Sequence, residues 1–270
     1  GFNSVHGRMP SVVAGANLAN RDLIYLGVSG DGDTASIGMG QFVHAIRRNP
    51  NMVYIVMNNG CYGLTKGQDS ATSDLGSVNK GGAENQFHGI DLAAMALEQG
   101  ASFVARSFSG DKNQLVPLLK AAMIHPGLAF IDVVSPCVTF NNHNGSTKSY
   151  SFTRDHLAAT SAIDFVPKRE EIKIDYDQGA VVNVELHDGS NIHLEKLASD
   201  WDPTNRDSSI RQLHAVKAKG QLLTGLLYVN PKSQEFHELQ KTTKTPLNSL
   251  RDDQLNPGTD ALNEINASLR

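Results

Sequence analysis

Ser29-Gly30-Asp31-Gly32-Asp33 closes an apolar run, Leu23 to Val28, and about 25 residues later Asn58-Asn59 closes a second one, Met52 to Met57. Both runs are short, continuous and rich in aliphatic residues, the pattern of strands buried on both faces. Between them, Ile37 to Arg48 reads as a helix with Ile37, Phe42, Ala45 and Ile46 turned inward and Arg47-Arg48 in its last turn, where cations suit the helix dipole. Strand, helix, strand predicts a parallel pair, so Gly30–Asp33 and Asn58-Asn59 fall at the carboxyl ends of neighbouring strands, where α/β sheets take ligands.

The pattern continues outward. Asp91 to Gln99 reads as a helix stopped by Gly100, Ala101 to Arg106 as a strand, Asp111 to Ile124 as a helix capped by Ser109 or Asp111 and ended before Pro126, and Leu128 to Val134 as a strand. The fold class is therefore α/β, a mostly parallel sheet with helices on both faces. The stretch from 58 to 88, rich in Gly, Ser and Asn, is too long to be mere connection and reads as functional. After residue 150 the pattern changes. Val181 to Leu186, Asp188-Gly189-Ser190 and Ile192 to Leu194 read as a β-hairpin, Trp201 to Ala218 as a polar helix beginning after Asp202-Pro203, and Leu222 to Val229 as a strand. The polar tail from Pro231 to Arg270 reads as an extension lying on the core or on a partner. This divides the chain into a binding domain, 1–150, and a C-terminal α+β extension, 151–270.

Composition bounds the function. The 270 residues are 40% hydrophobic and 19% charged with a net charge of -4, which gives no reason to expect nucleic acid or an anionic membrane as partner. No apolar run approaches the roughly 20 residues that span a bilayer. Two cysteines, Cys61 and Cys137, are too few for a disulfide framework and point to a reducing, cytoplasmic compartment. The first residues, Gly1-Phe2-Asn3, read as the start of an N-terminally truncated form.

The residue types at the two strand ends suit a diphosphate bound with a divalent cation. Gly30 and Gly32 let the backbone come close, the helix after them presents amide groups to negative charge, Asp31 supplies a hard anionic oxygen, Asn59 a neutral amide oxygen, and a nearby carbonyl a third. A dinucleotide fingerprint fits poorly: Gly27, Gly30 and Gly32 have the wrong spacing, and the second strand ends on Asn58-Asn59 rather than on an acid.

Gly-Asp-Gly followed by Asn-Asn at this spacing resembles the thiamine diphosphate motif. Ser4-Val5-His6-Gly7-Arg8, Ser29–Asp33, His44–Asn49, Asn58–Gln68 and Ser135–Asn141 resemble the beta subunits of 2-oxoacid:ferredoxin oxidoreductases, densely over residues 1–150. Leu223–Val229 and Thr245–Asn248 are similar to the longer bacterial members, particularly the 2-oxoglutarate enzymes. The resemblance implies a thiamine-diphosphate-binding fold and Mg²⁺ held by Asp31, Asn59 and the main-chain carbonyl of Cys61. It implies cofactor contacts from His6, Gly30, Asp31, Gly32, Asp33, Gly63 and Leu64, with Leu64 and Lys66 bordering the substrate. Cys137 resembles the last of four thiolates that hold a [4Fe–4S] cluster, the other three belonging to sequence that precedes Gly1 in the full-length subunit. The implied activity is oxidative decarboxylation of 2-oxoglutarate with coenzyme A to succinyl-CoA and CO₂, with electrons passed to ferredoxin. The glutamate that activates the cofactor is expected on the partner alpha subunit, so no catalytic residue is assigned here. A pyruvate or branched-chain 2-oxoacid oxidoreductase subunit, a non-oxidative decarboxylase subunit and a non-catalytic thiamine-binding scaffold stay open as alternatives.

Overall fold

The computed structural model describes residues 1–63, 65, 67–78, 82–135, 172–185, 191–256 and 258–269. Seven strands form one sheet. In chain order they are β1 (Leu26–Gly30), β2 (Met52–Asn58), β5 (Phe103–Phe108), β6 (Leu128–Val134), β7 (Val181–Glu185), β8 (Asn191–Lys196) and β9 (Leu222–Val229); β3 (Cys61–Tyr62) and β4 (Gln68–Asp69) make a separate short hairpin. The spatial order is β1-β2-β6-β5-β9-β8-β7. β1, β2, β6 and β5 run parallel, β9 is antiparallel to β5, β8 is parallel to β9, and β7 closes a hairpin on β8. Strands from either side of residue 150 thus belong to one sheet.

The α-helices α1 (Met9–Ala19), α2 (Met39–Arg48), α3 (Leu92–Glu98), α4 (Lys112–Ile124) and α5 (Arg206–Ala218) cover the sheet. Alternation along the parallel strands sorts the core into two layers. Tyr54, Val56 and Phe130 pack with Phe42, Leu92 and Leu97 on one face, and Val53, Ile55 and Ile131 pack with Phe103 and Leu118 on the other. Phe42, Tyr54 and Phe130 form an edge-to-face triangle with ring centroids 5.0 to 5.9 Å apart, a geometry worth more than its buried area alone. Burial pushes the Tyr54 phenol up to about 12, and its oxygen lies 3.0 Å from the Thr34 hydroxyl, which in turn donates to Ser29 Oγ at 3.2 Å. The strand end before the Gly-Asp-Gly turn is thereby tied to the core beneath it.

Two expectations are corrected. The run from Leu23 to Val28 does not form a strand buried on both faces: β1 is an edge strand, and Leu23, Ile24, Leu26 and Val28 are exposed. An apolar run specifies strand but not position, and β1 has a neighbour on one side only. Nor does the helix begin at Ile37. A wide, π-type helical turn runs from Gly32 to Ile37, and α2 starts at Met39 with Gly38 as its cap. Of the alternative caps for α4, Asp111 is the one used, accepting from the Gln114 N–H at 3.0 Å. The tail lies partly on the core: the Phe236 N–H donates to the Asn49 carbonyl, and buried His237 pairs its Nε2 with the Asn17 carbonyl at 2.9 Å. No described helix is long and apolar enough to cross a membrane.

His125, at the end of α4, is buried with Nε2 2.8 Å from Ser102 Oγ, and burial lowers its pKa to about 4 from 6.5. Because the unfolded chain binds this proton first, His125 contributes stability that is fully present above about pH 6.5 and lost as pH falls toward 4, up to about 3 kcal/mol. Urea midpoints measured from pH 7 to pH 4 should fall more steeply for the wild type than for His125→Phe; equal slopes would refute the assignment.

Candidate functional site

β1 and β2 are paired in register with Gly30 opposite Met57, so the turn after β1 and Asn58-Asn59 after β2 end side by side. The residues of the turn are then fixed by close approach. A Cβ on Gly32 would sit 2.4 Å from the Tyr62 ring, and the Tyr62 hydroxyl donates to the Gly32 carbonyl at 3.2 Å. Gly7, at φ +72°, packs against Gly38, where a Cβ on either would lie within 3.0 Å of the other's backbone. Gly30, by contrast, faces open space.

Asp31 is almost wholly buried, at 1% exposure. Its carboxylate accepts the Asn59 main-chain N–H on Oδ1 (3.2 Å) and the hydroxyls of Ser70 and Thr72 on Oδ2, the latter at 2.6 Å. The Asn59 amide oxygen accepts the Cys61 N–H at 3.0 Å, which curls the loop and brings the Cys61 backbone under Asn59. Asp33 meets His6, whose Nδ1 lies 2.8 Å from Asp33 Oδ1 with the imidazole otherwise exposed. Gly63 sits in the turn that follows Tyr62. His6, Gly30, Asp31, Gly32, Asp33, Asn59, Cys61 and Gly63 therefore belong to one locality at the end of β1 and β2. Leu64, Lys66 and Cys137 lie outside the described residues.

Behind this cluster lies a second one that sequence reasoning missed. Asn58 donates to Asp132 (3.1 Å), and its Oδ1 lies 3.1 Å from the Thr72 hydroxyl oxygen. Asp132 and Asp91 clasp the buried Arg106 guanidinium at 2.8 and 2.5 Å. Burial opposes charge at Arg106, yet the two carboxylates outweigh it and raise its pKa. Burial likewise works to raise Asp91, but the Arg106 charge outweighs it, assisted by the Ala94 N–H and by Lys217, and the carboxyl is held below its usual range. Asp91 also caps α3. A cleft of about 400 Å³ opens here, bounded by Asn58, Thr72, Asp132, Arg106, Lys217 and Gln221. Ser70 and Thr72 gave no sequence signal of their own, because a Ser/Thr-rich loop has the composition of a solvated one. Asp132 and Arg106 stood in apolar strands, and a charge in such a strand is itself the signal of a buried pair.

The donor set is all oxygen: one carboxylate with acceptor capacity left on Oδ1, one amide and the adjoining carbonyls, beside an open glycine. That set suits a hard divalent cation and a diphosphate. Among the described residues no group of three or more His, Cys, Asp or Glu converges as a metal-ligand set, and the two cysteines of the sequence do not make up four thiolates.

Residues 1–133 match the family model "Thiamine pyrophosphate enzyme, C-terminal TPP binding domain". The 2-oxoglutarate oxidoreductase subunit KorB of Mycobacterium tuberculosis is 42% identical over 146 residues, which are 53% of this chain and 38% of that protein. The 2-oxoacid:ferredoxin oxidoreductase subunit beta of Saccharolobus solfataricus is 43% identical over 151 residues, 56% of this chain and 49% of that one. The chain thus spans half or less of the length of these relatives. Among solved structures, the 2-oxoglutarate:ferredoxin oxidoreductase from Magnetococcus marinus, with 2-oxoglutarate, coenzyme A and succinyl-CoA bound, aligns with a TM-score of 0.66 at 29% identity, over 87% of this chain and 67% of that chain.

Replacing Arg106 by Met strands two buried carboxylates, and removal of one partner from a buried ion cluster costs about 3–5 kcal/mol. Chemical denaturation of Arg106→Met at pH 7 should show that loss, and the gap to wild type should narrow once acid protonates Asp91. A loss below 1 kcal/mol would refute the buried cluster.

Proposed function

We propose, from the premise that this chain belongs to the beta-subunit family of the 2-oxoacid:ferredoxin oxidoreductases, that it supplies the diphosphate-and-metal half of a thiamine diphosphate site in a heteromeric enzyme. The reaction of that enzyme is oxidative decarboxylation of 2-oxoglutarate with coenzyme A to succinyl-CoA and CO₂, with electrons delivered to ferredoxin. The observation that carries the reading is the meeting of Asp31 and Asn59 at the ends of two neighbouring parallel strands.

The chain's own residues divide the work. Asp31 would hold Mg²⁺ through its remaining Oδ1 lone pair, with the Asn59 amide oxygen and the Cys61 carbonyl completing the protein's share of an oxygen shell. Gly30 leaves the backbone open to the diphosphate, and Gly32, Asp33, Gly63 and Leu64 would line it. His6, paired to Asp33, would close the cofactor's near side. Thiamine diphosphate, when bound, supplies the electron sink that decarboxylation of a 2-oxoacid requires. The activating glutamate and the pyrimidine-binding half belong to an alpha partner. Lys66 would face the distal carboxylate of 2-oxoglutarate, where a cation forms a charge-assisted hydrogen bond. Residues 1–150 would carry the cofactor site and 151–270 the extension, in a cytoplasmic complex. A [4Fe–4S] cluster would need three thiolates besides Cys137.

Asp31→Ala should abolish Mg²⁺-dependent thiamine diphosphate binding measured by calorimetry while circular dichroism still reports a folded protein. Unchanged affinity would overturn the assignment. In the complex with the alpha subunit, Lys66→Ala should raise KM for 2-oxoglutarate at least about tenfold while leaving that for pyruvate near its wild-type value, as expected for loss of one charge-assisted contact. Ferredoxin reduction with pyruvate and not with 2-oxoglutarate would instead favour the pyruvate-type alternative.

A further inference from the structure

The two oxygens of the Asp31 carboxylate are treated unequally. Among the described residues Oδ2 receives the Ser70 hydroxyl and the Thr72 hydroxyl, whereas Oδ1 receives the Asn59 main-chain N–H alone. The two hydroxyls are themselves held. The Thr72 N–H donates to Ser70 Oγ at 3.2 Å and the two oxygens lie 3.0 Å apart. The Ser70 N–H donates to Ser73 Oγ at 2.8 Å, and the Ser73 hydroxyl donates to the Gly60 carbonyl at 2.5 Å, within the segment that carries Asn59 and Cys61. Ser70, Thr72 and Ser73 are all buried. A carboxylate oxygen has about two lone pairs. Both on Oδ2 are therefore committed, and one on Oδ1 is left.

We propose that Ser70 and Thr72 form a hydroxyl clamp that makes Asp31 a ligand through one oxygen only, and that this clamp selects Mg²⁺ over Ca²⁺. The inference rests on the reading of Asp31 as a metal ligand and deepens it. Mg²⁺ demands a near-ideal octahedron of short bonds, in which a carboxylate contributes one oxygen. Ca²⁺ accepts six to eight longer bonds and takes carboxylates through both oxygens. With Oδ2 saturated by hydroxyl protons, Asp31 cannot chelate. With the clamp removed, Oδ2 becomes available, and the carboxylate is free to rotate into the two-oxygen mode that the larger ion prefers. Ser70 and Thr72 would touch neither metal nor cofactor; they are positioning residues acting through Asp31.

The test titrates thiamine diphosphate into the full chain by calorimetry, once with Mg²⁺ and once with Ca²⁺, for the wild type, Ser70→Ala, Thr72→Val, Thr72→Ser, the Ser70→Ala/Thr72→Val double variant and Asp31→Asn. Loss of a group that orients a metal ligand costs about 10- to 100-fold in metal affinity. The ratio of Ca²⁺-supported to Mg²⁺-supported dissociation constants should accordingly fall about tenfold or more in the double variant, through weaker binding with Mg²⁺. Thr72→Ser, which keeps the hydroxyl, should retain the wild-type ratio. Equal losses with both ions would reduce the clamp to a structural role and overturn the inference while leaving the Asp31 reading intact. Metal-dependent affinity unchanged in Asp31→Asn, or absent in the wild type, would overturn that reading itself. If the double variant fails to fold, judged by circular dichroism, the two single hydroxyl deletions carry the same ratio test.

Discussion

A carboxylate shut away from water must have its lone pairs taken by donors or a cation, and the described structure around Asp31 is arranged to meet that demand. The side chain is 1% exposed, and leaving such a charge unsatisfied would cost several kcal/mol. Its donors come from three separate places: the main chain just past β2, and two hydroxyls some forty residues along from Asp31. They can converge only if β1 and β2 lie in the observed register and the long loop after β2 folds back over the strand ends. One buried charge thus explains both the strand alignment and why the loop is compact, with its Ser70, Thr72 and Ser73 buried rather than solvated.

A second buried charge braces the first. Arg106 points from β5 into the protein and is neutralised by Asp132 on β6 and Asp91 at the start of α3. Asn58 donates to Asp132 and so joins that cluster, while the Thr72 hydroxyl beside it donates to Asp31. A loop held only by its own turns would leave the donors to Asp31 free to wander. This loop is anchored through side chains to two strands and a helix cap, so the geometry at Asp31 inherits the rigidity of the sheet. The Tyr54–Thr34–Ser29 contacts do the same from beneath.

Much of this was legible in the residues, for reasons that differ from element to element. Met52–Met57, Leu128–Val134 and Leu222–Val229 were read as strands because continuous β-branched and aliphatic runs of that length leave little alternative. The position of Gly30–Asp33 and Asn58-Asn59 at strand ends followed from those runs. β1 was misplaced because edge and central strands can carry the same apolar residues; what distinguishes them is the neighbour, which is a tertiary fact. The helix α1 went unread because Met9–Ala19 is small and weakly amphipathic, although Pro10 in its first turn is a start signal. The π-type turn at Gly32–Ile37 has no composition of its own. The hydroxyls on Asp31 were invisible because a serine that clamps a buried carboxylate and a serine in a solvated loop are the same letter.

The C-terminal strands and helix bear on the site as well. β9 pairs antiparallel with β5, the strand that carries Arg106, and α5 lies beside α3. Lys217, near the end of α5, faces Asp91 and is one of the charges that keep this carboxyl ionised. Asp91 caps α3 and holds Arg106, and Arg106 fixes Asp132 and through it Asn58. The charge on α5 therefore acts on the cluster that ends at Asn58. The Arg106–Asp91, Arg106–Asp132 and Asn58–Asp132 links are hydrogen bonds between groups largely removed from water, so weakening one leaves its partner with an uncompensated desolvation cost. The extension therefore bears on the ion cluster behind the strand ends through the Lys217 charge on Asp91.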